Sequence, residues 1–420
     1  MIGLLLILFT IHVPIAFALG IASTITLLLV HQIPLVVIPQ RMFTGTDSFT
    51  LIAIPFFILA GSIMERGGIS EKLIDFAYTL VGHIKGGLGL ITVVGSMFFA
   101  GISGSAAADT AAIGKITIPA MIKRGFSKSY ATGIQATAGA IGIIIPPSIV
   151  MILFSIVSGA SVGQLFLGGV IPGILIGLSL MVTGYIVARK RGYPTEVKST
   201  LTDVFRHFSS SIPALLMPVI ILGGILLGIV TPTESAVVAV IYGLLLGFFG
   251  YKKLKVSDLP GIFYESAMTS AMIMFLVANA NIFAWVITSQ RMPQDLASFL
   301  GNTFTHPTIV LLIIVFIFLV AGTFLDTSAA LIIITPVLIP IAQVAGVDMI
   351  HLGLITVIAL AIGMATPPVG LNLFISAGIA NVGLVEASKG LIPFLLAMII
   401  TLILIVLFPA IVLFLPQMFM

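Results

Sequence analysis

The sequence contains no cysteine and one tryptophan, and only 8% of its 420 residues are charged, against about 25% in a soluble globular domain. The missing cysteines exclude a disulfide framework, a thiolate nucleophile and a Cys-ligated metal, and the six histidines are scattered without ligand spacing. Haem, structural zinc and thiol redox chemistry therefore lose their ligands. HExxH does not occur, so an intramembrane metalloenzyme has no visible metal set, and no catalytic residue is assigned. The Gly-rich stretch GHIKGGLG, residues 82–89, is followed by no Gly-Lys-Ser/Thr, which removes the case for a phosphate-binding loop. The first apolar stretch, Ile2 to Val30, lacks a basic leading region, so no cleavable signal peptide is expected.

What the chain has in quantity is apolar surface and helix breakers. Hydrophobic residues make up 59%, and the mean hydropathy is +1.28. Since a spanning helix takes about 20 apolar residues, the length predicts a polytopic all-α membrane protein with roughly nine to twelve crossings. The 42 Gly and 22 Pro exceed the needs of straight spans. Irregular backbone survives at membrane depth only where protein buries it or a cavity solvates it, so broken helices are expected.

Spans are expected at about 2–30, 49–64, 164–188, 212–230, 233–250, 267–289 and 390–415. Two more, about 129–159 and 350–381, carry a proline pair in mid-span. Two segments, about 87–122 and 307–342, are too long for one span and are interrupted by small polar residues; they read as re-entrant helical hairpins. In residues 69–85, Leu73, Phe76, Ala77, Leu80, Val81 and Ile84 share a helical face opposite Glu71, Lys72, Asp75 and His83, as in a helix lying along the membrane surface. Shorter relatives are read at Leu201, Val204, Phe205, Phe208 and at Leu259, Ile262, Phe263.

The net charge of +4 arises from clusters at Arg66/Lys72/Lys85, Lys123/Arg124/Lys128, Arg189/Lys190/Arg191/Lys198 and Lys252/Lys253/Lys255. By the positive-inside rule these lie in the cytoplasm, so the charge reflects topology and no nucleic-acid partner is expected. The loops at 289–306 and 343–351, with Arg291 as their one basic residue beside Asp295 and Asp348, belong outside, and the N-terminus inside. The first hairpin then opens to the cytoplasm and the second to the periplasm.

One constant offset of 221 carries Pro146-Pro147 to Pro367-Pro368, Gly101 to Gly322, Pro119 to Pro340, Gly125 to Gly346, Gly142 to Gly363 and Ile171-Pro172 to Ile392-Pro393. Breakers mark places where the backbone does something particular, so their shared spacing identifies a repeat. The loop KRGFSK, 123–128, is basic and its counterpart around Gly346 is not, so the halves are inverted. Domains are placed at 1–190 and 233–420, joined by a connector at 191–232. Inverted repeats mark secondary transporters, whose sites lie near the midplane at discontinuous helices. A passive channel would not need them.

The hairpin tips read GISGSAAADTAA, 101–112, and GTFLDTSAAL, 322–331; the breaks read GAIGIIIPPS, 139–148, and GMATPPVGLN, 363–372. Small residues let backbones approach, and hydroxyls, carboxylates and unwound carbonyls are hard oxygen donors. Two sodium sites are expected. The first comprises Ser103, Ser105 and Asp109 with carbonyls of Gly139, Gly142 and Ile145; the second comprises Asp326, Thr327 and Ser328 with Gly363, Ala365 and Thr366. A substrate anion is set against Pro146, Pro147, Pro367, Pro368 and Asn372. Asp326 is the leading ligand because carboxylates within spans are costly, with a helix cap as its structural alternative. Asp109 has two alternatives, a cap and a pair with Lys115. Glu234 reads as a first-turn carboxylate, Asn279 and Asn281 as helix glue or cavity lining, and Trp285 as an interface anchor.

These motifs, GISGSAAADTAAIG, IIIPPS, LDTSAALIIITP and GMATPPVGLN, resemble the large membrane subunit of tripartite ATP-independent periplasmic (TRAP) transporters, over essentially the whole chain. More distantly they are similar to divalent-anion sodium symporters. The resemblance implies an elevator-type, sodium-driven importer of organic acids in the bacterial inner membrane, with sialic acid and C4-dicarboxylates both within the family's range. It also implies two separate partners, a small four-helix membrane subunit and a soluble periplasmic binding protein. One departure is internal: Asp326 aligns with Ser105, so the two sites are not chemically equivalent. A stand-alone sodium or proton symporter remains the alternative.

Overall fold

The structure is a computed structural model and describes residues 1–30, 34–292 and 306–420; among these, all regular structure is helical. In chain order the helices are α1 Ile2–Thr10, α2 Ile15–Val30, α3 Val37–Thr46, α4 Ala53–Arg66, α5 Ile69–Val81, α6 Gly87–Ser103 and α7 Ala106–Lys123. They continue as α8 Lys128–Gly139, α9 Ile149–Ser158, α10 Val162–Arg191, α11 Leu201–Leu226, α12 Pro232–Leu245 and α13 Leu259–Ser289. After the undescribed stretch come α14 Pro307–Phe324, α15 Thr327–Val344, α16 Met349–Ala365, α17 Leu371–Ala380, α18 Leu384–Lys389, α19 Ile392–Leu407 and α20 Ala410–Phe419.

Seven described helical segments are long and apolar enough to cross a membrane, or eight if the bent pair α19–α20 is one span. That is fewer than the roughly nine to twelve expected from length alone. The reason is local: breaks divide several apolar stretches into helices of 10–17 residues. The expected span 2–30 is one of these. His12 adopts φ 61° and Pro14 offers no amide, so the chain turns between α1 and α2.

The repeat is visible in helix bounds. Shifting α7 by 221 reproduces α15 residue for residue, and α8 and α16 begin at the same shifted position. The stretch 191–232, set down as a connector, contains α11 whole. Each hairpin is a pair of packed helices, α6–α7 and α14–α15, joined by two residues. Each broken helix is likewise two helices around its proline pair, and both pairs have a cis peptide bond. The halves interlock: α7 packs on α8 of its own half and on α17 of the other, while α15 packs on α16 and on α9. Around this core α2 packs on α13, α4 on α12 and α13, and α5 on α11.

The surface helix over 69–85 forms as α5, burying Leu73, Phe76, Ala77 and Val81 and exposing Glu71 and Asp75; Leu80 falls off the buried stripe. Phe76 stacks on Phe98 at 5.6 Å and meets Phe208 at 5.4 Å. The two shorter surface helices do not exist as separate elements. Residues 201–208 are the first turns of α11, begun by the reciprocal Thr200/Asp203 capping box, and residues 259–263 begin α13. A cap fixes where a helix starts, and nothing after it stops propagation into the apolar run.

Glu234 closes a second such box, its carboxylate accepting from the Thr231 amide at 2.7 Å. Asn279 donates to the Phe275 carbonyl at 2.9 Å and rests on Gly20, while Asn281 rests on Gly45 and also lines a small cavity of about 170 Å³. Trp285 lies under the Arg41 guanidinium, 5.1 Å from the ring centroid. The outer loop read at 289–306, with Asp295, lies outside the described residues from 293 to 305.

Close backbone approach sets the tolerance of the repeat core. A Cβ at Gly363 would stand 2.6 Å from Gly322 Cα, which is backbone and cannot swing away; at Gly378, nothing lies within 4 Å. Gly363→Ala is expected to lower the melting temperature of the purified protein, corresponding to about 1–3 kcal/mol of overpacking. Gly378→Ala, in an open helical position, is expected to leave it unchanged or raise it slightly.

Candidate functional site

The first tip turns at Gly104, whose φ of 61° favours glycine, and a Cβ there would lie 2.8 Å from the Pro147 carbonyl. Tip and break are also joined by the Ile149 amide donating to the Gly104 carbonyl at 3.4 Å. Gly370, 221 residues beyond Ile149, donates in the same way to Thr323 of the second tip at 3.3 Å. Both hairpins are thus held to their breaks by backbone.

Beyond each tip a helix begins, and the tip residue caps it. Ser105 accepts from the Ala108 amide at 3.4 Å, and Asp326, its counterpart, accepts from the Ser328 amide at 2.9 Å. The next free amides point outward from the helix start, where partial positive charge accumulates. The two helix starts meet at one cavity of about 440 Å³, within the range of small-molecule sites. Residues 103–108 and 326–328 line it together with Ile143, Ile149, Val150 and Met364 from the core. The rest of the wall comes from α4, with Ile58, Gly61, Ser62 and Glu65, and from α13, with Thr269, Met272 and Ile273. Among the described residues no Lys, Arg or His lines it.

The expected site residues divide into three groups. Ser103, Ser105, Asp326, Thr327 and Ser328 share the cavity. Asp109, Gly139, Gly142, Ile145, Gly363, Ala365 and Thr366 lie outside its lining. Gly142 is nevertheless against the first tip, since a Cβ there would be 2.9 Å from the Ser105 carbonyl oxygen and 3.0 Å from Asp109 Oδ2. The Thr366 hydroxyl donates to the Ile362 carbonyl at 2.7 Å.

The residues set against the substrate do not line the cavity. Pro146 and Pro147 are buried in the first break, whereas Pro367 and Pro368 are exposed on the second. Asn372 is fully buried and donates to the Ala136 carbonyl at 3.3 Å, tying the halves together.

The two aspartates differ in the opposite sense to the one expected. Asp326 is exposed to the cavity and caps α15. Asp109 is the fully buried one; neither carboxylate oxygen makes a well-formed hydrogen bond, and the one side chain near enough to interact is the equally buried Ser96. Its two alternatives are both overturned: the cap of α7 is Ser105, and Lys115 is exposed with no ion pair to it. A buried carboxylate without partners demands a proton or a cation. With Ser96 and the Ser105 carbonyl nearby, its donor set is all hard oxygen, which suits an alkali or alkaline-earth ion.

Sequence reasoning missed Ser62, Glu65 and Thr269. No local signal points to them, because only the crossing of α4 and α13 over the tips makes them part of the site.

A family model described as "Tripartite ATP-independent periplasmic transporter, DctM component" matches residues 2–411. The chain is similar to the C4-dicarboxylate TRAP transporter large permease protein DctM of Pseudomonas aeruginosa, with 41% identity over 95% of this chain and 94% of that one. It is similar to the isethionate TRAP transporter permease protein DctMQ of Oleidesulfovibrio alaskensis, with 42% identity over 96% of this chain and 64% of that one. It is also 36% identical to the sialic acid TRAP transporter large permease protein SiaM of Vibrio cholerae, over 97% and 95% of the two chains. Among solved structures, the Alcanivorax borkumensis YdaH transporter matches in fold with a TM-score of 0.66 at 13% identity, over 89% of this chain and 87% of that one.

The unpaired Asp109 gives a direct test. In choline chloride, Asp109→Asn is expected to melt above the native protein, because an unmatched buried charge costs several kcal/mol. In saturating sodium the order is expected to reverse as an ion fills the native site. An order indifferent to sodium means that no such ion binds at Asp109.

Proposed function

Because the chain belongs to the DctM family of large permease subunits of tripartite ATP-independent periplasmic transporters, we propose that it imports an organic acid across the bacterial inner membrane by sodium symport. The acid is of the C4-dicarboxylate or sialic acid class, delivered by a periplasmic binding protein to this chain and a small four-helix membrane subunit. One relative, named DctMQ, matches this chain over only 64% of its own length.

A single observation carries the reading: two helix N-termini from opposite halves converge on one cavity that, among the described residues, holds carboxylates and no basic side chain. Amides and dipoles there welcome an anion, while Glu65 and Asp326 repel it. Cations remove that conflict. Sodium at the first tip, held by Ser103, Ser105 and Asp109 with carbonyls of Gly139, Gly142 and Ile145, and at the second, held by Asp326, Thr327 and Ser328 with carbonyls of Gly363, Ala365 and Thr366, leaves the amides free for the substrate carboxylate. Ion binding thus precedes productive substrate binding, which links the gradient to uptake. No step needs a catalytic residue, and the relatives are named as permeases.

In this reading the hairpins are re-entrant and, with the broken helices, form the moving body of an elevator. The helices α2, α4, α12 and α13 form the scaffold, and α5 is a bracing arm. The positive-inside rule puts Arg66, Lys72 and the Lys252–Lys255 cluster in the cytoplasm, and with them the N-terminus.

The test is solute uptake into proteoliposomes holding this chain and its small subunit, with and without the binding protein and an inward sodium gradient. Uptake is expected to require both additions and to fall at least tenfold in Asp326→Ala, as for a lost charge-assisted contact of about 1.5–3 kcal/mol. Uptake without the binding protein supports a stand-alone symporter, and indifference to sodium removes the coupling proposal.

A further inference from the structure

Glu65 belongs to α4, outside the hairpins and breaks, and it faces the same cavity as both tips. Its place is set by Gly61, one turn earlier on that face: a Cβ at Gly61 would lie 3.5 Å from the backbone of Ser103, so α4 rests on the first tip. On the cavity wall Glu65 is accompanied by Ser62, whose hydroxyl lies 3.3 Å from that of Ser266, and by Thr269, whose hydroxyl donates to the Glu265 carbonyl at 2.9 Å.

The charges around Glu65 are Lys115, Arg66 and Glu265. Arg66 is committed elsewhere, to Glu265 at 2.6 Å. Lys115 lies outside the cavity lining and forms no ion pair with Glu65 among the described residues. The cavity lining therefore carries two kinds of group. At the tips, helix starts supply amide donors for an anion. On α4, a half-buried carboxylate supplies acceptors, with Arg66 already paired and Lys115 outside the lining.

Resting on the assignment of this cavity to the substrate, we infer that Glu65 selects acids whose far end donates hydrogen bonds. Such a ligand has one carboxylate at the tips and hydroxyl, amide or ammonium groups facing Glu65. A dicarboxylate long enough to span the cavity would set its second charge against Glu65, and like charges at close range are an effective means of rejecting a wrong ligand. An acceptor aimed into a cavity also penalises any ligand that leaves it without a donor. Of the two substrate classes above, the hydroxylated, amide-bearing monocarboxylate fits and the C4-dicarboxylate does not.

The experiment is thermal-shift titration of the purified chain with its small subunit, in sodium chloride, with succinate on one side and gluconate and N-acetylneuraminate on the other. At least one hydroxylated monocarboxylate is expected to stabilise the native protein at concentrations where succinate does not. In Glu65→Gln the preference is expected to narrow on the order of tenfold, the size of one lost charge-assisted hydrogen bond. Glu65→Asp is expected to restore most of it. Melting in sodium without ligand reports whether each variant is folded. Succinate binding more tightly than both monocarboxylates, or a preference identical in native protein and Glu65→Gln, overturns the assignment of Glu65 while leaving the cavity as a substrate site. If none of the three acids stabilises either protein, the cavity is not the substrate site and both readings fall.

Discussion

Backbone packed against backbone, at the contact between each hairpin tip and the break beside it, is the constraint on which this structure depends. Unwound helix ends carry amides and carbonyls that lipid cannot satisfy. Here they are sheltered by the break: Gly104 lies against Pro147 at the first tip, and at the second the Gly370 amide donates to the Thr323 carbonyl, while Gly322 of α14 packs on Gly363 of α16. The same contacts hold two helix starts, α7 and α15, at one cavity. Interlocking then makes the arrangement mutual, because α7 also leans on α17 and α15 on α9. Neither half can keep its hairpin in place without a piece of the other.

A site made of helix starts differs from one made of arginine or lysine side chains. Fixed cationic side chains would attract anions whatever else was bound. Amide donors carry only partial charge, and in this cavity Asp326 and Glu65 oppose them. In the sodium-symport reading proposed above, small ions tip that balance, and Asp109, buried beneath the first tip with no basic partner among the described residues, carries the same requirement into the core. Unlike a side-chain cation, an ion from solution responds to its concentration on each side of a membrane.

Much of the fold was legible in the sequence because its decisive features are local. Glycine and proline dictate backbone at their own positions, so the constant offset of 221 located hairpins and breaks before any contact was known. The amphipathic stripe of α5 was similarly local. The first span failed because hydropathy averages over Pro14 and cannot see the turn at His12. The surface helices at 201 and 259 failed because charge and amphipathicity do not say whether a helix stops. Site chemistry was less legible. Asp109 and Asp326 sit near the starts of equivalent helices, in similar small-residue runs, yet one is buried and the other exposed. That difference is decided by what the other elements lay over each tip, as is the presence of Glu65 in the cavity. Three-dimensional crossings of this kind leave no mark in a single chain's spacing.

The two proline breaks share a sequence device but not an environment. Pro146 and Pro147 are enclosed, whereas Pro367 and Pro368 stand open on one side. One chain thus houses the same break in two ways, and the difference lies in what the rest of the molecule lays over each copy and not in the repeat itself.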